Sequence, residues 1–235
     1  MGFKVLIFEE DGICPDSIGG LRRDLHSYLN PNYWIGVVDR TKLRSGNWAR
    51  TCACLVLPHC SDAGAYQRLG QDAEAIKQIR DFVQTGGSFL GIGGGAFFAS
   101  ARADWIGHTE WTTTLALWPG TSNGPCLPGL GAHVHDLDVG TDYQLYLYWE
   151  DGGEFIGPST AILALYSNRS IAGIHYVSGR GNVVLWHARL DYVPTEKVFQ
   201  DSGLWFSAEQ LEVTRSLPID SPSTKTCIAR RTMPP

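Results

Sequence analysis

The chain has 235 residues, of which 43% are hydrophobic, 18% charged and 11% aromatic, and its formal net charge is −5. This balance excludes a disordered polyelectrolyte, which combines low hydrophobicity with high net charge, and argues against a dedicated nucleic-acid binder, which would be basic. No apolar run approaches the ~20 residues of a membrane helix, and the length suits one large domain that buries about three-quarters of the unfolded chain's surface.

Met1 to Lys4 lead straight into a strand, so no signal peptide is expected, and Leu6 stands where a myristoylation signal needs Ser or Thr. The six cysteines, at 14, 52, 54, 60, 126 and 227, read as reduced thiols of a cytoplasmic protein. Cys52 and Cys54 have no second Cys or His pair at zinc spacing and read as small hydrophobes on a strand.

Lys4 to Phe8 is an unbroken apolar run, the mark of a strand covered on both faces in a parallel sheet. Asp16 or Ser17 is expected to cap a helix with Leu21, Leu25, Tyr28 and Leu29 on one face, stopped by Asn30-Pro31. Trp34 to Val38 and Ala53 to Leu57 read as the next two strands. Asp72 opens a helix with Ile76, Ile79, Phe82 and Val83 inward, closed by Gly86-Gly87. Ser88 to Ile92 is a short strand from which Gly93-Gly94-Gly95-Ala96 lead into a further helix. From Thr112 the pattern shifts to short β-like runs at Thr114–Trp118, His133–Asp138, Leu145–Tyr148, Ala161–Tyr166, Ile171–Tyr176 and Asn182–Leu185. Turn chemistry at Trp118-Pro119-Gly120, Asn123-Gly124-Pro125 and Asp151-Gly152-Gly153 separates several of them. The fold expected is α/β: a single flavodoxin-like domain with a mostly parallel central sheet, helices on both faces, and added β-hairpins that extend the same sheet. Residues 207–217 read as helical, 1–217 as the domain, and 218–235 as a flexible C-terminal tail.

Gly87 to Ser100 has the form of a nucleophile elbow, a strand running into a helix through a small-residue turn. With it come Cys54-Leu55-Val56-Leu57-Pro58, Leu117-Trp118-Pro119-Gly120-Thr121, Gly124-Pro125, Pro128-Gly129, Gly153 to Pro158 and Gly179 to Leu185. In order and spacing, from Val5 to about Tyr192, this set resembles the biotin-protein ligase N-terminal-domain-like family of the class I glutamine amidotransferase-like superfamily. The resemblance implies a cysteine nucleophile at Gly93, a histidine at Arg189 followed by an acid at Asp191, and a Pro-Gly-Gly oxyanion turn at Pro58-His59-Cys60. The first two groups are replaced here and only the acid is kept. Gly93 has no atom to attack with, and an arginine, always protonated, cannot accept a proton. Glutaminase chemistry is therefore not expected, even after Gly93→Cys. His187, two residues before Arg189, is a displaced candidate base.

The remaining groups define the expected site at the carboxyl edge of the sheet. His59, Cys60, Asp11 and Asp191 are the candidate catalytic groups, and Gly93, Gly94, Gly95, Arg189 and Glu10 the candidate binding groups. The amides of Gly94 and Gly95 at a helix start can hold an anion or polarise a carbonyl. Plainer readings stand beside this one. Arg189 and Asp191 can be a surface ion pair, His59 and Cys60 ordinary loop residues, and Glu9-Glu10-Asp11 a solvated turn. His133 and His135 share a strand face but more often meet solvent than a metal. The glycine run lacks the Lys-Ser/Thr of a phosphate loop. Neither metal nor cofactor is expected. The partner expected is a small-molecule ligand or substrate, with no nucleic acid, no membrane and a homo-oligomer left open. Two functions follow for a standalone chain: nucleophile-free acid–base chemistry (isomerase, cyclase or lyase type) on a small carbonyl-bearing metabolite, or a non-catalytic ligand- or protein-binding domain.

Overall fold

Val5, Leu6, Ile7 and Phe8 are all buried, so the strand they form needs cover on both faces and a hydrogen-bonding neighbour on each side. The structure, a computed structural model, describes residues 3–29, 31–109, 111, 113–127, 133–138, 144–149, 152–158 and 161–191, with the side chains of 28, 108, 133–138 and 144–149 outside the description. The residues expected to form a final helix and tail, 207–235, lie outside the described residues. In chain order the elements are β1 (Lys4–Phe8), α1 (Pro15–Tyr28), β2 (Trp34–Val38), α2 (Arg40–Ser45), β3 (Cys52–Leu57), α3 (Gly64–Gly70), α4 (Ala73–Gln84), β4 (Ser88–Ile92) and α5 (Gly94–Ala99). The second half adds β5 (Ser100–Trp105), β6 (His108–Thr109), β7 (Trp118–Gly124), β8 (His133–Asp138), β9 (Gln144–Trp149), β10 (Glu154–Ile156), β11 (Ala161–Leu165), β12 (Ile171–Ser178) and β13 (Gly181–Trp186).

The main sheet runs β2-β1-β3-β4-β13-β12-β11-β8-β9. The five strands from β2 to β13 are mutually parallel, which brings their carboxyl ends to one edge. The four beyond are antiparallel, added as the hairpins β13–β12–β11 and β8–β9. The α/β, flavodoxin-like arrangement thus matches the expectation, and its parallel half carries the elbow.

Four local expectations change. Helix α1 starts at Pro15 with Cys14 as its N-cap residue, not at a cap from Asp16 or Ser17. Proline suits the first helical position because the N–H it lacks has no partner there anyway. Helices α2 and α3 were not foreseen, since six or seven residues carry too little periodicity; α2 is defined by its ends, Asp39 accepting from the Lys42 N–H at 2.7 Å and Gly46 at φ +67°. The run expected at Thr114–Trp118 begins as strand only at Trp118 and continues through Pro119-Gly120, which had read as a turn. Pro119 is tolerated because the ladder to β5 is irregular there. Finally, β5, β6, β7 and β10 do not extend the main sheet but form a second one, ordered β10-β7-β5-β6. Six-residue α5 spans only about 9 Å, too little to return the chain to a parallel neighbour, so β5 leaves on the helix side. The two sheets share one continuous apolar core, and the buried Ser100 and Ser122 hydroxyls join β5 to β7 at 2.7 Å.

Candidate functional site

Strand β4 ends at Ile92, and Gly93 turns the chain into α5 with φ +53° and ψ −117°. That conformation is open to glycine and strained for any residue with a side chain. The Gly93 N–H donates to the Trp186 carbonyl at 2.8 Å, which ties the elbow to the end of β13. Gly94 and Gly95 occupy the first turn of α5, where N–H groups have no acceptor within the helix.

The loop after β3 lies directly on this turn. A Cβ at Gly93 would overlap His59 Nδ1 and stand 3.1 Å from its Cγ. A Cβ at Gly94 would overlap Cys60 Sγ, and one at Gly95 the Leu57 carbonyl oxygen. The three glycines therefore let the loop close onto the elbow, and His59 and Cys60 fill the space. The structure brings these five expected site residues together.

Loops after β1 and β3 are zipped to one another above the elbow. The His59 N–H donates to Ser17 Oγ at 3.2 Å, the Cys14 N–H to the His59 carbonyl at 3.1 Å, and the Ser61 and Asp62 N–H groups to the Gly12 carbonyl. Beneath them the buried Tyr66 hydroxyl donates to the Pro58 carbonyl. Burial pushes the Tyr66 pKa well above its usual value, helped by Cys60 and Asp191. His59 is partly buried, but its Nδ1 is fully enclosed, with no hydrogen-bond partner among the described residues. Burial, and then the Arg189 charge, lower the imidazole's pKa to about 4 against an opposing pull from Asp191. His59 is neutral at pH 7.

Arg189 and Asp191 form an ion pair, and it is buried, at 3% and 1% exposure, rather than on the surface. Nε donates to Oδ1 at 3.0 Å and Nη2 to Oδ2 at 3.3 Å, with Cys14 Sγ 3.9 Å from Nη2. Burial alone would lower the guanidinium's pKa, but the charge and hydrogen bonds of Asp191 outweigh it and hold it raised. Glu10 and Asp11 belong to a different set. The Glu10 carboxylate lies 3.5 Å from Arg40 Nε and 3.7 Å from Arg68 Nε, while Arg68 donates to the Asp11 carbonyl and Asp11 itself is exposed. His187, the displaced candidate base, is stacked on Phe155 at 4.0 Å and tilted against Phe97 at 4.5 Å. Neither ring nitrogen has a hydrogen-bond partner among the described residues, and burial drives its pKa down to about 3. Such a histidine fills a core slot.

Cys14, Ser17 and Tyr66 were not anticipated at the site. Only Ser17, a hydroxyl on the inward face of α1, left a signal in the sequence. His133 and His135 fall on β8, and their side chains lie outside the described residues. Among the described residues no three His, Cys, Asp or Glu side chains gather as metal ligands, and no helix is long and apolar enough to cross a membrane.

Comparison with known proteins bears on the family and the fold. The chain is 27% identical over 209 residues to the biotin–protein ligase of Schizosaccharomyces pombe, covering 77% of this chain and 32% of that protein. The chain thus spans about a third of the length of that relative. Among solved structures, a glutamine amidotransferase superposes with a TM-score of 0.59 at 15% identity, covering 78% of this chain and 88% of that one. A cytoplasmic protein from Salmonella typhimurium gives 0.56 at 12% identity, covering 99% and 100%. At these identities the likeness shows the fold alone. The family model for the N-terminal region of biotin-protein ligase matches residues 3–215, and the chain belongs to that family.

Proposed function

We propose that this chain is a non-hydrolytic, amidotransferase-like binding domain with a role related to biotin ligation. The observation that carries the reading is the overlap of a Gly93 side chain with His59 Nδ1. The position to which the family resemblance assigns the nucleophile is occupied by an imidazole from the neighbouring loop. The position assigned to the base is a guanidinium whose Nε and Nη2 both donate to the Asp191 carboxylate. Covalent amide hydrolysis needs a nucleophile within reach of a base, and Gly93 and Arg189 supply neither at those two positions. The closed loops instead leave the carboxyl edge, the usual ligand-binding edge of an open α/β sheet, for a small molecule or a partner protein. The link to biotin ligation rests on the similarity to the Schizosaccharomyces pombe enzyme. Two measurements test the reading. Glutamine should yield no ammonia with the purified protein or with Gly93→Cys; turnover that disappears in His59→Ala would overturn the non-hydrolytic part. Calorimetric titration against the catalytic module of a biotin ligase should show saturable binding; its absence removes the ligase-related part.

One observation favours a second reading, acid–base chemistry on a carbonyl-bearing metabolite. His59 is neutral, its enclosed Nδ1 has no hydrogen-bond partner among the described residues, and its ring packs against Gly93, the residue just before the first-turn amides of Gly94 and Gly95. His59 would then move the proton and the amides polarise the carbonyl. A metabolite screen in which the parent turns over a carbonyl compound and His59→Ala does not would put this reading first.

A further inference from the structure

The opposite edge of the same sheet holds a hollow of about 190 Å³, remote from the elbow because it opens where the parallel strands begin. Its floor is apolar, made by Leu6 of β1 and by Trp48, whose indole N–H is already committed to the Leu43 carbonyl at 2.9 Å. One wall is Trp34, 54% exposed although it is a large aromatic. Its ring lies flat along β2, over Gly36, where a Cβ would overlap the indole. Lys4 at the start of β1 sets its ammonium 5.6 Å over the Trp34 ring centroid, a cation–π contact, and Lys42 of α2 also lines the hollow. Ser45, Asn47 and Thr51 complete the lining, and the Ser45 hydroxyl already donates to the Lys42 carbonyl at 2.8 Å. Among the described residues none that lines the hollow carries a carboxylate, in a protein whose formal net charge is −5.

From this juxtaposition we infer that the hollow binds a small planar aromatic carboxylate. A flat ring fits between the Trp34 wall and the Leu6–Trp48 floor, since offset or edge-on contacts with an indole favour aromatic over aliphatic bodies. The carboxylate lies between the two ammonium groups, where charge-assisted hydrogen bonds are strongest, and Asn47 and Thr51 set its orientation. A hollow of this size takes one ring with one acidic substituent. A bare inorganic anion would leave the apolar floor uncovered, and a neutral ring would bring the two lysines no countercharge.

Benzoate, benzyl alcohol and inorganic phosphate are the probes, titrated calorimetrically against the full chain at low salt. Benzoate should bind saturably, with the alcohol and phosphate each about tenfold weaker or more. Lys4→Gln/Lys42→Gln should weaken benzoate by about tenfold or more, whereas Lys4→Arg/Lys42→Arg should retain it. Trp34→Ala should weaken benzoate without affecting phosphate, and Trp34→Leu serves if the alanine protein does not fold. No saturable benzoate binding, benzoate affinity unchanged by the double glutamine variant, or phosphate binding as tightly as benzoate would each overturn the assignment. None of these variants touches the elbow, so failure here leaves the reading of that site standing.

Discussion

Replacing Gly93 with alanine probes the central claim about the elbow, that the space beyond its Cα belongs to His59. Two costs add. The backbone at φ +53°, ψ −117° would have to be held by a residue with a Cβ, a strain of about 1–3 kcal/mol. The new methyl would also overlap His59 Nδ1 and force the ring aside, an overpacking cost of about 1–3 kcal/mol. Together these amount to about 2–6 kcal/mol, and for a chain of this size each kcal/mol lowers Tm by roughly 2–4 °C. The two costs separate in a double-mutant cycle, because His59→Gly removes the ring and leaves the backbone strain. Chemical denaturation of the parent, Gly93→Ala, His59→Gly and the double variant should therefore give a coupling of about 1–3 kcal/mol, with the double variant more stable than additivity allows. If Gly93→Ala melts within about 0.5 kcal/mol of the parent, or the two changes are additive, His59 does not occupy the nucleophile's place.

Acid should weaken the fold through its two enclosed histidines. Their folded pKa values, about 4 for His59 and about 3 for His187, lie below the unfolded value of 6.5, so this stabilisation is complete above pH 6.5 and is lost as the unfolded state takes up protons below it. Each should contribute about 2 kcal/mol of loss between pH 7.5 and pH 5; urea midpoints at the two pH values check this, and a pH dependence unchanged in His187→Phe would exclude that residue's share. Arg189→Ala should cost about 3–5 kcal/mol by stranding the buried Asp191 carboxylate, against the ~0–1 kcal/mol of an exposed pair, and Arg189→Met/Asp191→Leu should recover most of the loss. Ser17→Ala removes the acceptor of the His59 N–H and should cost about 1–3 kcal/mol; a melting curve superimposable on the parent's would show that water takes over the bond.

The parallel half of the fold was legible residue by residue, because its signals are local. The apolar runs at β1 and β3 and the inward face of α4 at Ile76, Ile79, Phe82 and Val83 are buried as read, since a strand covered on both sides and an amphipathic helix each impose a period on the chain. Glycine at the elbow was legible for the same reason, as the residue with least strain at positive φ. The outcome at Pro119 and the second sheet were not legible, because a short β-like run carries no record of which strand it will pair with. The site divided along the same line. Residue types alone excluded a nucleophile at Gly93 and a base at Arg189. That His59 would stand where a nucleophile's side chain would go, that Arg189 would spend its donors on Asp191 in the interior, and that Glu10 would turn towards Arg40 and Arg68 depended on how two loops from distant strands settle against each other. Those contacts join residues as far apart as Cys14 and Arg189, and such long-range distances enter only when the chain is packed.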